Sequence, residues 1–313
     1  TGGNPRIRVK GNEHYYLFQF DSGPISDWRI TSATLHVKLA GGNLREVAFC
    51  TVPVPWVEGT AVNKPQDGST CSTHPRYPSK GWPGLGLPGV GQADGTMQSA
   101  TFNSPYMLWR PAKPKPVGDG WLDIPINPAL VRAVAAGWSH GLVMSDEKGQ
   151  TRENHDLFTR EQSNARPYLV VKGETLPRPA TLPVGPDCRA ETYPQAAGFD
   201  GGAIRILPGS GNGREAIGHR IILRRNVGER ADRGEPVRNV VTFGRAPEGR
   251  EDVAPPWVVF EDLEPGAEYL IEVRSLHDRY ALKGPMKVVA ASAALDRPEA
   301  PAVGDIPTIP AVG

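Results

Sequence analysis

Asp156-Leu157-Phe158-Thr159-Arg160-Glu161, followed after Gln162 to Ala165 by Arg166-Pro167-Tyr168-Leu169-Val170-Val171, reads as an interrupted strand, a Thr-Arg-Glu corner and a closing apolar strand. Upstream of it three runs alternate with period two: Tyr15 to Phe20, Ile30 to Leu39 and Glu46 to Val54. In the second run Ala33, Leu35, Val37 and Leu39 share one face and Thr34, His36 and Lys38 the other, the pattern of an antiparallel strand with one dry side. Trp121 to Ile126, Gly141 to Ser145 and Arg166 to Lys172 supply further strands. Between them Asn127-Pro128 offers an N-cap followed by proline at the first helical position, and Leu130, Val131 and Val134 mark the apolar face of one short helix that stops near Gly137.

The composition agrees. With 36 Gly and 32 Pro in 313 residues and 39% hydrophobic residues, the chain predicts many short elements joined by turns and enough length for two or three cores. A formal charge of +1 gives no electrostatic reason to expect nucleic acid or an anionic membrane as partner. No apolar run approaches the roughly 20 residues of a membrane-spanning helix, and Thr1-Gly2-Gly3 does not open like a signal peptide, so the chain reads as a processed or excised piece. Cys50 and Cys71 could form one disulfide, leaving Cys188 odd, or could be buried thiols.

From Asn63 to Gly120 the alternation dissolves into Gly, Pro, Ser and aromatic residues. Irregular chain of that length calls for a functional or structural reason. The prolines of Thr175 to Pro186 read as a stiff linker. Beyond it Arg189 to Tyr193, Ala203 to Leu207, His219 to Arg225, Asn239 to Phe243, Trp257 to Phe260, Glu268 to Ser275 and Met286 to Ala291 predict a second set of short strands. Asp296 to Gly313 is Pro-rich again, as a tail leading toward another domain would be.

Four pieces in order resemble the disaggregatase-related DNRLRE family of carbohydrate-binding-like jelly-roll modules: Tyr16-Leu17-Phe18-Gln19-Phe20, Ile30-Thr31-Ser32-Ala33-Thr34-Leu35, Trp56-Val57-Glu58-Gly59-Thr60, and Phe158-Thr159-Arg160-Glu161 with Arg166-Pro167-Tyr168-Leu169. Lys64 to Gly120 departs from the family in being longer and richer in proline. Leu263-Glu264-Pro265-Gly266-Ala267-Glu268-Tyr269-Leu270-Ile271-Glu272-Val273 resembles fibronectin type III, with Tyr269 as the corner tyrosine whose hydroxyl bonds back to the chain just upstream. That family's core Trp is missing, and Leu207, before Pro208, takes its place. The resemblances imply an all-β chain: a jelly-roll β-sandwich with one short helix over 1–173, a linker at 174–186, a fibronectin type III-like sandwich over 187–294 and a tail at 295–313.

Sugar recognition uses aromatic faces that stack on the C–H side of a ring, flanked by groups that bond hydroxyls. Tyr77, Trp82, Tyr106 and Trp109, with Arg110, are the candidates for a glycan site because all fall in the irregular middle. The competing reading is that these rings are buried to hold that segment down. Trp56 and Trp121, beside strands, are expected in the core, and Lys113 and Lys115 beside Arg110 would suit an acidic polysaccharide. Arg160 and Glu161 are read as a structural corner pair.

Gly137-Trp138-Ser139-His140-Gly141 fits a nucleophile elbow in letters but follows a helix and precedes a strand, the reverse of what that turn requires, so Ser139 is read as structural. Glu58, Asp94, Asp123, Asp146, Glu153 and Asp156 show no spacing that sets two carboxylates across a cleft. No metal motif is present and no cofactor is expected, although scattered oxygens leave room for a structural calcium. The leading expectation is a noncatalytic polysaccharide-binding or anchoring pair from a secreted or cell-surface protein. A structural or adhesive protein that assembles with other domains or copies stands second, and an enzyme with an unrecognised site third.

Overall fold

A computed structural model describes residues 2–11, 13–62, 64–79, 81–84, 94–147, 153–175, 189–193, 201–207, 216–226, 235–243, 258–276, 281–283 and 287–290. Most of the expected linker, Cys188, Trp257, Met286 and the tail lie outside these residues. The described chain is nearly all β. Its first part holds strands β1 (Arg6–Val9), β2 (Tyr16–Phe18), β3 (Trp28–Gly41), β4 (Val47–Thr51), β5 (Trp82–Pro83), β6 (Asp94–Gly95), β7 (Trp109–Ala112), β8 (Lys115–Gly118), β9 (Trp121–Ile126), β10 (Leu142–Asp146), β11 (His155–Phe158) and β12 (Tyr168–Thr175). A single-turn helix α1 (Met97–Ala100) and the helix α2 (Pro128–Ala135) interrupt them.

β3 organises the first sandwich. Along one edge it pairs antiparallel with β12 and then with β11, which carries β1; along the other it pairs with β9, which carries β8. The facing sheet runs β2-β10-β4-β7. The alternation of β3 survives intact, with Ala33, Leu35 and Val37 buried and Thr34, His36 and Lys38 on the outer face. The helix starts as the sequence predicts: the Asn127 side chain accepts the Ala129 amide at 2.9 Å and Pro128 sits at the first position.

In β4 and β10 every residue is buried, so both faces of these strands are covered. One face meets the opposite sheet. Trp82, Met97, Met107 and Leu108, from the middle of the chain, belong to the same core, and Met107 and Leu108 meet Thr51 at the end of β4. The stretch expected to be irregular also contributes four strands, the two-residue pair β5 and β6 and the longer β7 and β8. β7 and β8 each lie at an edge of their sheet, where Pro111 and Pro116 forfeit no ladder hydrogen bond. Cys50 is buried, Cys71 is half-buried and no disulfide joins them.

The second part holds β13 (Arg189–Tyr193), β14 (Gly202–Leu207), β15 (Gly218–Arg225), β16 (Arg238–Phe243), β17 (Val258–Leu263), β18 (Glu268–Leu276), β19 (Ala281–Lys283) and β20 (Lys287–Ala290). A three-stranded sheet β13-β14-β17 and a sheet ordered β16-β15-β18-β19, with β20 also on β18, make a fibronectin type III-like sandwich. The Tyr269 hydroxyl accepts the Glu264 amide at 3.1 Å while its ring is buried, which is the tyrosine corner. Ile204 and Ile206, rather than Leu207, reach the core from β14, since Leu207 has the opposite strand phase.

The two sandwiches touch. Phe243 and Leu276, at the ends of β16 and β18, belong to the hydrophobic core of the first sandwich, and Tyr106 packs against both cores. The Phe243 amide donates to the Tyr106 carbonyl at 2.7 Å. Arg220 donates to the Gly137 carbonyl at 3.0 Å, with its guanidinium 5.3 Å from the centre of the Trp138 ring.

Candidate functional site

The outer face of the β3 sheet carries one line of side chains across four strands. The registers place Tyr168 of β12 opposite His36 of β3, His36 opposite Asp123 of β9, and Asp123 opposite Lys115 of β8. The neighbouring rung pairs Lys38 with Trp121. Residues so paired point to the same side of the sheet, and Leu35, Val37, Leu122 and Ile124 fill the other side, so the polar phase of these strands is what faces out.

The rings interact. His36 and Tyr168 stack with centroids 4.4 Å apart and planes 10° from parallel, and Trp121 lies 6.0 Å from Tyr168 at a tilt of 56°. His36 Nδ1 is 2.7 Å from Asp123 Oδ1, without the alignment of a hydrogen bond. Lys38 Nζ sits 6.0 Å from the centre of the Trp121 ring and 2.8 Å from Asp119 Oδ2. That hydrogen bond, with the ammonium charge behind it, holds the Asp119 carboxyl below its ordinary range.

Asp119 and Gly120 form the tip of the β8–β9 hairpin. Both have positive φ, 49° and 75°, as a two-residue type I′ turn requires, which is why Asp-Gly stands there. His36, Val117, Gly118, Asp119, Trp121 and Tyr168 line an open cleft of about 350 Å³. Val117 is 57% exposed and Tyr168 52%, so this is apolar and aromatic surface presented to solvent.

The residues expected to bind glycan lie elsewhere. Trp82 is fully buried, its indole N–H donating to the Cys71 carbonyl at 2.9 Å. Burying such a ring is worth about 4–6 kcal/mol on area alone, which favours burial over presenting the ring. Trp109 pairs with Cys50 and packs half-buried on the core, and Arg110 donates to the Trp109 carbonyl at 2.8 Å. Tyr106 is held between the two sandwiches. Tyr77 meets the His74 ring edge-on at 5.3 Å. None of these four rings stacks on another. Trp56 is half-buried and bonds the His140 carbonyl at 2.7 Å.

Trp121 departs from the core position expected of it. The signal was present in Trp121-Leu122-Asp123-Ile124-Pro125-Ile126: if Leu122, Ile124 and Ile126 point inward, Trp121 and Asp123 point out.

The remaining candidates are structural. Arg160 contacts Glu58 at 2.7 Å and Glu161 at 3.2 Å at the corner before β12. Ser139 is buried; its hydroxyl accepts the Val52 amide at 2.9 Å and donates to the Gly141 carbonyl at 2.6 Å. Among the carboxylates, Asp146 lies 3.1 Å from His155 and Asp156 3.0 Å from Arg8. Among the described residues, no three His, Cys, Asp or Glu side chains converge as metal ligands, and no helix is long and apolar enough to cross a membrane.

The fold thus defines a chain of two β-sandwiches, the second fibronectin type III-like. No protein-family model matches it, and no curated protein does. Similar solved structures include a fibronectin type III domain of human collagen XX, with 20% identity over 37% of this chain and 99% of that one, at a TM-score of 0.25. The FN1–FN3 domains of chicken CNTN1 share 14% identity over 58% of this chain and 52% of that one, at 0.26. A β-1,2-glucanase from Parabacteroides distasonis shares 12% identity over 92% of this chain and 30% of that one, at 0.24. The chain therefore spans about half of the CNTN1 fragment and under a third of the glucanase.

Proposed function

We propose that the chain is a noncatalytic carbohydrate-binding or anchoring pair of modules, secreted or held at a cell surface, in which the first sandwich takes the ligand and the second acts as a docked spacer. The observation that carries this reading is the outward line of Tyr168, His36 and Asp123 beside Trp121: stacking rings and hydroxyl-bonding groups on one strand-built surface. The resemblance to DNRLRE modules over 1–173, with the module boundary in 174–186, belongs to the same reading. Affinity electrophoresis of the intact chain in gels containing soluble polysaccharides tests it. Retardation that is lost in a Trp121→Ala, Tyr168→Ala double variant is the expected result, and no retardation in any glycan refutes it.

A second reading has its own support. Val117, Tyr168 and Val170 put exposed apolar side chains on this sheet, and Phe243 and Leu276 tie the two sandwiches into one apolar contact. A structural or adhesive protein would use such surfaces against copies of itself or other domains. Concentration-dependent sedimentation of the intact chain distinguishes it.

A further inference from the structure

The shape of the cleft says more than its chemistry, given the carbohydrate reading just proposed. We infer that it holds a single chain of uncharged sugars, not the flat surface of a crystalline polysaccharide and not an acidic glycan.

Rings that grip a flat surface must share a plane, so that each meets the surface face-on. Trp121 and Tyr168 are tilted by 56° with centroids 6.0 Å apart. A plane laid on one of them meets the other obliquely. One side of Tyr168 is already covered by His36 at 4.4 Å and 10°, and Trp121 leans against it at a tilt, so a sugar ring has one free face of Tyr168 to stack on. The hairpin tip also lines the depression, through Val117 and Asp119, so the cleft of about 350 Å³ is open to solvent but walled on that side. That volume lies at the small end of the range for small-molecule sites and suits one or two sugar rings of a longer chain.

Charge selects further. The charged side chains beside the rings balance: Lys38 holds Asp119 at 2.8 Å, and Asp123 stands across the ladder from Lys115, with His36 Nδ1 2.7 Å from its Oδ1. An acidic sugar would compete with a carboxylate already in place and face a second one close by. A neutral sugar meets no such opposition, and the Asp119 side chain, 87% exposed, offers acceptors for its hydroxyls.

Titration calorimetry of the full chain with xylohexaose, mannohexaose, cellohexaose and polygalacturonate, beside pull-down on microcrystalline cellulose and chitin, tests the inference. Binding to at least one neutral hexasaccharide is expected, weakened about tenfold or more by Trp121→Ala and by Tyr168→Ala. Tyr168→Ala removes a side chain that is half exposed, and circular dichroism with a thermal melt confirms that each variant is folded. Retention on the crystalline polymers without hexasaccharide binding overturns the inference and leaves carbohydrate binding standing, as does preference for polygalacturonate. Hexasaccharide binding indifferent to both substitutions also overturns it. Binding to none of these probes overturns the inference together with the reading beneath it, and self-association abolished by Tyr168→Ala would assign the face to a second copy of the chain.

Discussion

Ser139→Ala is the substitution that separates the two meanings of Gly137-Trp138-Ser139-His140-Gly141. Helix α2 ends before this segment and β10 begins after it, with Gly137 at φ 70° and Gly141 at φ 115°. Between them the Ser139 hydroxyl joins the strand preceding the middle of the chain to the start of β10: it accepts from the Val52 amide at 2.9 Å and donates to the Gly141 carbonyl at 2.6 Å. Val52 is fully buried and Ser139 is 5% exposed, so alanine leaves a donor and an acceptor with little access to water. Two such groups at about 1–3 kcal/mol each put the cost at roughly 2–6 kcal/mol, a large part of the stability of an ordinary domain.

The assay is urea unfolding of the intact chain followed by tryptophan fluorescence, with the change read as a lower midpoint at unchanged slope. Each kcal/mol lost also lowers the melting temperature by about 2–4 °C for a unit of this size. Ser139→Cys, with a weak donor and weak acceptor, should fall between wild type and alanine. A Ser139→Ala midpoint equal to wild type would refute the argument. So would covalent labelling of native Ser139 by a fluorophosphonate, because a hydroxyl that gives its proton to a buried carbonyl is not poised to attack.

Three further outcomes follow from equally local geometry. At Gly141 a Cβ would lie 2.5 Å from the Phe18 carbonyl oxygen, whereas at Gly137 it would meet open space; Gly141→Ala should therefore cost clearly more than the 1–2 kcal/mol or so of Gly137→Ala, compared by urea titration. Tyr269→Phe keeps the buried ring and strands the Glu264 amide, for a loss of about 1–3 kcal/mol by thermal melt, and an unchanged melt would deny the corner its role. Burial, and secondarily the nearby Arg220 charge, lower the affinity of His140 for a proton in the folded protein. The stability this contributes is complete above about pH 6.5 and lost as pH falls from there through the lower folded value, so acid should loosen the contact between the sandwiches, read as an increased radius of gyration in X-ray scattering.

The strands of both sandwiches were legible because burial on one side enforces a period of two, and Ala33, Leu35 and Val37 against Thr34, His36 and Lys38 kept that phase in the structure. The α2 start and the Tyr269 corner were legible because each depends on a contact within a few residues. β7 and β8 were not. Pro111 and Pro116 argue against a strand unless its place in the sheet is known, and only the assembled order shows that both strands are edges.

The aromatic surface was harder to read for a different reason. In Tyr168-Leu169-Val170-Val171 both phases are apolar, so hydrophobicity does not say which side faces out; the register with β3 does, by setting Tyr168 beside His36. The middle of the chain misled in the opposite direction, since its rings serve the core as much as the surface, and Trp82 is fully buried. A ring in irregular chain can move to wherever apolar surface must be hidden. A ring on the outward phase of a paired strand, as Trp121 and Tyr168 are, has its direction fixed by the ladder, and only a change of register would turn it inward.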